Sequence, residues 1–216
     1  MTTADGGLPN DATTHGLAAD DLDQRLAGAL ERMGHVARTM LSRQAYLEGV
    51  SPLQFQLLLK LESTAGPRVS DLAIELDVSQ ATVSDALGTM RRKELVSKQQ
   101  DPADRRNSVF SLTQQGESLR RRLARWDQPI ADRLAPLEVG EKGTALRVVL
   151  EVVSGLQDEG VINVARTCLT CRFFDDTTHP ETATPYHCLL LDVPFADPQL
   201  RVDCAEHEPR TVGAAT

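Results

Sequence analysis

The 216-residue sequence has few aromatic residues, no long apolar run and no cysteine before position 168. Aromatic residues make up only 4% of the chain, so the core is expected to be aliphatic. The longest apolar runs fall far short of the ~18 residues that a membrane-spanning helix needs, and we therefore predict no membrane span. The first nineteen residues lack the apolar segment of a signal peptide, which predicts a cytoplasmic protein.

The formal charge of −8 excludes a uniformly basic coat protein for nucleic acid, but the charge is unevenly distributed. Residues 91–125 contain ten Lys or Arg against four acidic residues, whereas residues 168–216 contain three basic residues against eight acidic ones. All four cysteines lie in the acidic segment. This distribution predicts two functional parts, a body with a basic patch and an acidic extension that carries the cysteines.

Helical periodicity accounts for most of the body. Apolar residues recur at three- and four-residue steps from Leu22 to Met40 and predict a long amphipathic helix that needs a partner surface. The pair Ser51-Pro52 is typical of a helix start. Further helical segments are predicted at 70–76, at 79–93, after Gly116 and at about 144–164, with a β-hairpin at 96–113 whose charged tip spans 99–107.

The two short helices between residues 69 and 90 each have one apolar face, and Ser79 is placed to cap the second. Short polar side chains follow near the start of that helix, an arrangement that suits contact with base edges while backbone N–H groups contact phosphates. An ordinary helical hairpin would share this pattern, but basic residues follow directly. We therefore predict that DNA is contacted by Ser79, Gln80, Thr82, Ser84, Arg91, Arg92, Lys98, Arg105 and Arg106.

Residues 20–160 resemble the MarR family of winged helix-turn-helix regulators. The resemblance is carried by Ser79-Gln-Ala-Thr-Val-Ser, by Asp101-Pro-Ala-Asp-Arg-Arg106 and by Ser111-Leu-Thr-Gln-Gln-Gly116. It implies a mainly α fold and a homodimer formed by the N-terminal helix and the last two helices. It also implies a palindromic double-stranded operator, with the recognition helix from Ser79 in the major groove and the hairpin tip in the minor groove. Family members often carry Arg where this chain has Ala103, so insertion into the minor groove is left to Arg105 or Arg106.

The resemblance also implies a sensor, since most members respond to a small aromatic ligand or to an oxidant through a reactive cysteine. Residues 1–167 contain no cysteine, which leaves a ligand cleft or the C-terminal extension as the sensor. The chain has no dinucleotide-binding loop, no Ser/His/Asp set and no carboxylate pair, so we predict that it is not an enzyme.

The extension has the spacing C-x2-C-x16-C-x15-C, formed by Cys168, Cys171, Cys188 and Cys204. Disulfides are not expected in a cytosolic DNA-binding protein, and a metal would stabilise a segment with little apolar mass. Zinc would pair Cys204 with His207 and leave Cys188 unused. A [4Fe-4S] cluster would use four thiolates, and the Cys-Arg-Phe-Phe run is similar to the motif of high-potential iron–sulfur proteins; zinc and a [2Fe-2S] cluster are the alternatives.

Together these patterns predict a mainly α protein: a winged helix-turn-helix domain with long dimerisation helices, and a small metal-stabilised C-terminal extension. The predicted boundaries are a disordered segment 1–19, a MarR-like body 20–166 with its DNA-binding core at 51–113, a cysteine-rich extension 167–209 and a disordered tail 210–216. The predicted function is a transcriptional regulator whose operator affinity depends on an iron–sulfur cluster. The alternative is a regulator that responds to a small organic effector and holds a structural zinc.

Overall fold

The computed structural model describes residues 19–61, 66–100, 108–179 and 182–210. The described part of the chain divides into two compact units, one before and one after the boundary between Met40 and Leu41. The predicted disordered segments 1–19 and 210–216 lie outside the described residues, apart from Ala19 and Arg210. No helix in the described ranges is both long and apolar enough to cross a membrane.

The first unit contains most of helix α1, Ala19–Leu47, which confirms the predicted amphipathic helix. Several of its apolar side chains are exposed in the single chain, with Leu22 at 56% and Met33 at 47%. Because monomeric proteins rarely expose a continuous apolar stripe of this kind, the helix is of the type that packs against another surface.

The larger of the two apolar clusters among the described residues of the second unit is mainly aliphatic and lies in its N-terminal part. The first elements of this unit are α2 (Pro52–Lys60), α3 (Val69–Glu75), α4 (Gln80–Arg92), β1 (Val96–Gln100), β2 (Ser108–Leu112) and α5 (Gln114–Leu123). The Ser51 hydroxyl accepts the Gln54 backbone N–H at 3.2 Å, which starts α2. The predicted apolar faces of the two short helices point into this core, where the fully buried side chains include Phe55, Leu58, Leu72, Val83, Leu87 and Met90.

The predicted β-hairpin is present, with Val96 paired to Leu112 and Gln100 to Ser108 in antiparallel register. Its tip, residues 101–107, lies outside the described residues. The hairpin leads into α5, where the Thr113 hydroxyl accepts the Gly116 N–H at 3.0 Å. A Cβ at Gly116 would lie 2.0 Å from the Leu95 carbonyl oxygen, so only glycine allows the helix to start this close to β1.

The last helices, α6 (Gln128–Leu134) and α7 (Val139–Asp158), differ from the prediction. We expected Pro136 and the stretch from Gly140 to Gly143 to interrupt the helix and the last helix to span about 144–164. Instead α7 begins at Val139, because the Glu141 side chain accepts the Glu138 N–H at 3.2 Å and so satisfies the helix start. It ends at Asp158, shortly before Gly160 adopts a left-handed conformation with φ of +73°.

The C-terminal segment forms a small three-stranded antiparallel sheet, which was not predicted from the sequence. The strands β3 (Phe174–Asp175), β4 (Tyr186–Cys188) and β5 (Val193–Phe195) are in the order β3-β4-β5, flanked by 3-10 turns at Cys168–Thr170 and Asp197–Gln199. Phe195 and Leu200 are buried against Leu150 of α7. This cysteine module, residues 165–210, therefore takes part of its apolar core from α7.

Candidate DNA interface and candidate metal centre

The start of α4 is built by the predicted cap. The Ser79 hydroxyl accepts the Thr82 backbone N–H at 3.1 Å, and its oxygen lies 2.8 Å from the Thr82 hydroxyl oxygen. Both residues are exposed. These two predicted DNA-contacting side chains are therefore hydrogen-bonded to each other. They lie at the N-terminus of the helix, where the free backbone N–H groups favour the binding of anions such as phosphate.

A polar groove of about 400 Å³ lies between α4, the start of α3 and the β-hairpin. Gln80, Ser84 and Arg91 form one stripe along α4, and Lys98 of β1 faces them across the groove. The structure therefore brings four of the predicted DNA-contacting residues together. Arg68 and Ser70 also line this groove, and sequence reasoning missed both. A basic residue just before a short helix was the only feature of the sequence that pointed to them.

The remaining predicted DNA contacts have other positions. The Arg92 guanidinium donates to the Thr89 hydroxyl at 2.8 Å and so lies along its own helix. The neighbouring Lys93 donates to the Gly49 carbonyl at 2.7 Å, which ties α4 to the start of α2. Arg105 and Arg106 fall in the hairpin tip, outside the described residues.

The four predicted metal ligands line one cavity of about 230 Å³ in the cysteine module, far more than the ~10–15 Å³ that one water needs. A 3-10 turn brings Cys168 and Cys171 to one side, since the Cys171 N–H donates to the Cys168 carbonyl at 3.0 Å. Cys188 ends β4, and Cys204 is held by its N–H to the Arg166 carbonyl at 2.9 Å. The other walls are mainly apolar and include Phe173, Phe174, Leu190, Leu191, Val193, Pro194 and Phe195.

All four cysteines are free thiols. Burial raises the pKa of the Cys168 thiol, and the Arg201 backbone N–H, 3.2 Å from its sulfur, partly offsets this. The Arg201 guanidinium also donates to the Cys204 sulfur at 3.5 Å. Two of the four sulfurs thus already have hydrogen-bond donors, as anionic thiolate ligands require.

The histidines near the cysteines have other partners. The His207 Nε2 atom lies 3.0 Å from the Thr170 hydroxyl, and the His187 Nε2 atom lies 3.1 Å from an Asp192 carboxylate oxygen. In the part of the chain that the structure describes, no three His, Cys, Asp or Glu side chains are grouped to hold a single metal ion. Four thiols around an apolar cavity fit the donor set of an iron–sulfur cluster, which is larger than one ion.

Two contacts join the helix-turn-helix to the part of the chain that follows α7, one from the cysteine module and one from the segment just before it, and sequence reasoning missed both. The Lys60 ammonium lies 2.6 Å from Glu75 of α3 and 2.8 Å from Asp203, the residue before Cys204. Burial lowers the pKa of Lys60, but the hydrogen bonds to Asp203 and Glu75 outweigh it, so the pKa is raised and the ammonium stays charged. The Asn163 amide donates to Asp77, in the turn between α3 and α4, at 2.6 Å.

Comparison with known proteins agrees with this geometry. Residues 50–108 match the family model described as "MarR family". The chain is 30% identical over 70 residues to the HTH-type transcriptional regulator YhbI of Bacillus subtilis, covering 32% of this chain and 46% of that protein. It is 26% identical over 136 residues to the HTH-type transcriptional repressor NicR of Pseudomonas putida, covering 60% of this chain and 84% of that protein.

Among solved structures, Streptococcus pneumoniae FabT in complex with DNA covers 63% of this chain and 98% of its own length, with a TM-score of 0.54 and 18% identity. This likeness shows the winged-helix fold, and residues 50–108 of the chain are similar to the MarR family. The matched family segment ends at residue 108, well before the cysteine module.

Proposed function

We propose, on the premise that this chain carries the winged helix of the MarR family, that the protein is a dimeric, sequence-specific DNA-binding transcriptional regulator. The observation that carries this proposal is the groove in which Gln80, Ser84 and Arg91 of α4 face Lys98 of the hairpin. An exposed polar stripe at the start of a helix, bordered by cations, suits the major groove. The relative NicR is named as a repressor, and the FabT structure contains DNA.

The proposed homodimer follows from apolar side chains that one chain leaves exposed. Each of the two helices α1 and α7 carries some of them, at Leu22, Leu26, Met33 and Val36 and at Val149, Val152 and Leu156 respectively. A second copy would bury them by a two-fold contact, and two-fold symmetry predicts a palindromic operator.

We further propose that the cavity of the cysteine module holds a [4Fe-4S] cluster through Cys168, Cys171, Cys188 and Cys204. When bound, such a cluster supplies a one-electron redox centre that is sensitive to oxygen and to iron supply. The chain's own residues bind and shield it: four thiolates coordinate, Phe174 and Phe195 exclude water, and Arg201 donates hydrogen bonds to two sulfurs.

Operator binding is expected to differ between protein with and without the cluster. Loss of the cluster would remove one of the bonds that hold Cys204, and the neighbouring Asp203, which pairs with Lys60 beside α3, would then be less firmly positioned. Fluorescence anisotropy with one labelled operator, under anaerobic conditions, measures the two affinities; typical coupling of about 1–3 kcal/mol corresponds to a change of about 5- to 150-fold. If the protein with the cluster and the protein without it bound the operator equally well, the cluster would not be a sensor, but the proposal of DNA binding would stand.

One observation bears on the alternative effector. An open cavity of about 670 Å³, with both polar and apolar walls, lies beside the ion pair between Arg122 and Glu48, whose atoms are 2.9 Å apart. An organic effector there, with zinc in the cysteine module, predicts colourless protein with one equivalent of zinc. In that outcome the operator affinity would change with the organic ligand and not with oxygen.

Replacing Lys60 by Met is expected to reduce the difference between the two affinities without preventing cluster assembly. Partly exposed ion pairs contribute about 0.2–1 kcal/mol each, so the ratio of the two operator affinities should fall by up to about 5-fold. The same anisotropy titrations measure it. Lys142→Met on α7 is the control for the change in charge. If the ratio of the two operator affinities were unaltered in Lys60→Met, the contact of Lys60 with Asp203 would not couple the cysteine module to operator binding.

A further inference from the structure

Arg201 is joined to two of the four cysteines by three hydrogen bonds. Its backbone N–H donates to the Cys168 sulfur at 3.2 Å, and its carbonyl accepts the Cys168 N–H at 3.1 Å. Its guanidinium Nη1 donates to the Cys204 sulfur at 3.5 Å. The side chain also lines the cavity that all four cysteines share.

This geometry separates two effects of one residue. The backbone bonds hold the loop that carries Cys204 against the turn that carries Cys168, and they remain whatever the side chain is. The guanidinium adds a permanent positive charge next to the ligand sulfurs. A substitution of the side chain therefore changes the charge and leaves the two backbone hydrogen bonds to Cys168 in place.

The other arginines near the cysteines point elsewhere. The Arg172 guanidinium lies 5.0 Å from the centre of the Phe173 ring and 2.9 Å from a Glu208 oxygen. The Arg166 guanidinium donates to the Cys204 carbonyl at 3.1 Å. The hydrogen bonds recorded to cysteine sulfur in the described residues both come from Arg201.

We propose that Arg201 is a positioning residue that sets the reduction potential of the cluster held by the four cysteines. The inference rests on the proposed function, because it requires the cluster. Reduction adds one electron and one negative charge within reach of the guanidinium, so the cation stabilises the reduced form and raises the potential. Hydrogen bonds to sulfur and local charge are known to tune such potentials. Since Arg201 is exposed, salt should weaken the effect.

The test is an anaerobic spectroelectrochemical titration of the full chain, in which the electrode supplies the electron through mediators. Arg201→Gln is expected to have a lower midpoint potential than the wild type. Arg201→Lys, which keeps the charge but not the planar donor group, is expected between the two. Arg172→Gln removes an equal charge from the same module and should leave the potential unchanged. The difference in midpoint potential between the wild type and Arg201→Gln should be smaller at high salt.

The outcomes distinguish this inference from the proposed function. If the wild type binds no iron and sulfide, both are overturned. If the wild type and Arg201→Gln both carry the cluster with equal potentials, the inference fails and the proposed function stands. Should Arg201→Gln not retain the cluster, Arg201→Met carries the test, because it also removes the charge and keeps the backbone hydrogen bonds, and a potential equal to that of the wild type overturns the role of Arg201.

Discussion

Cys188→Ser protein purified without oxygen is expected to be colourless, whereas the His207→Ala protein keeps the brown colour of the wild type. All four cysteines line one cavity, and a cubane needs a ligand at each iron, so the loss of one thiolate should prevent stable assembly. Cys188 is held in this wall by β-pairing to Phe174 and Val193. The His207 ring nitrogen instead contacts the Thr170 hydroxyl.

Visible absorption together with iron and sulfide analysis measures this outcome, and we expect complete loss of both in Cys188→Ser. A zinc site would give the opposite pattern: colourless protein with one equivalent of zinc, tolerance of Cys188→Ser and dependence on His207. Circular dichroism serves as the control for folding. The helical core around Phe55 and Leu87 contains no cysteine, so both variants should keep their helix content.

The helix-turn-helix was predictable because its determinants are local. Val83, Leu87 and Met90 follow the helical repeat and are all fully buried, and Ser79 caps the helix that they belong to. When apolar residues recur every three to four positions, they lie on one face of the helix, and that face is buried whichever elements it packs against. The hairpin was also predictable, because its two strands are close in sequence, and they pair in antiparallel register from Val96–Leu112 to Gln100–Ser108.

The contacts that connect the two functional parts were not predictable, because they join residues far apart in sequence. Lys60 and Asp203 are separated by 143 positions, and neither has an unusual local sequence. The start of α7 was mispredicted for a related reason: Gly143 looked like a helix breaker, but a Cβ there would lie 3.0 Å from Pro198. The glycine makes room for the cysteine module to pack, which no local pattern reveals.

The bond between Ser79 and Thr82 also changes how the sequence-based interface should be tested. Sequence reasoning gave both residues and Gln80 similar roles at the start of α4. Since the two hydroxyls already bond to each other, replacing Thr82 would disturb the cap as well as any DNA contact. Gln80 is exposed and lines the groove, so it is the cleaner position at which to test base recognition.

Gln80→Ala is therefore expected to change which operator sequence is preferred, with a loss of about 1–3 kcal/mol, or about 5- to 150-fold, at one base position of each half-site. A glutamine amide can pair with the edge of adenine, and alanine at an exposed helix position preserves the helix. Arg91→Gln should instead weaken binding to all sequences and reduce the slope of log affinity against log salt by about one for each chain.

Binding of the full-length protein to a library of operator variants, repeated at several salt concentrations, separates these two effects. Arg125→Gln is the matched control for charge, because its guanidinium donates to Gln128 at 2.7 Å and Arg125 is not among the residues that line the groove. Its specificity and salt slope should match the wild type. If Gln80→Ala left both affinity and sequence preference unaltered, α4 would not be the helix that reads the operator, because an exposed glutamine at the start of a helix in the major groove cannot be neutral at every base.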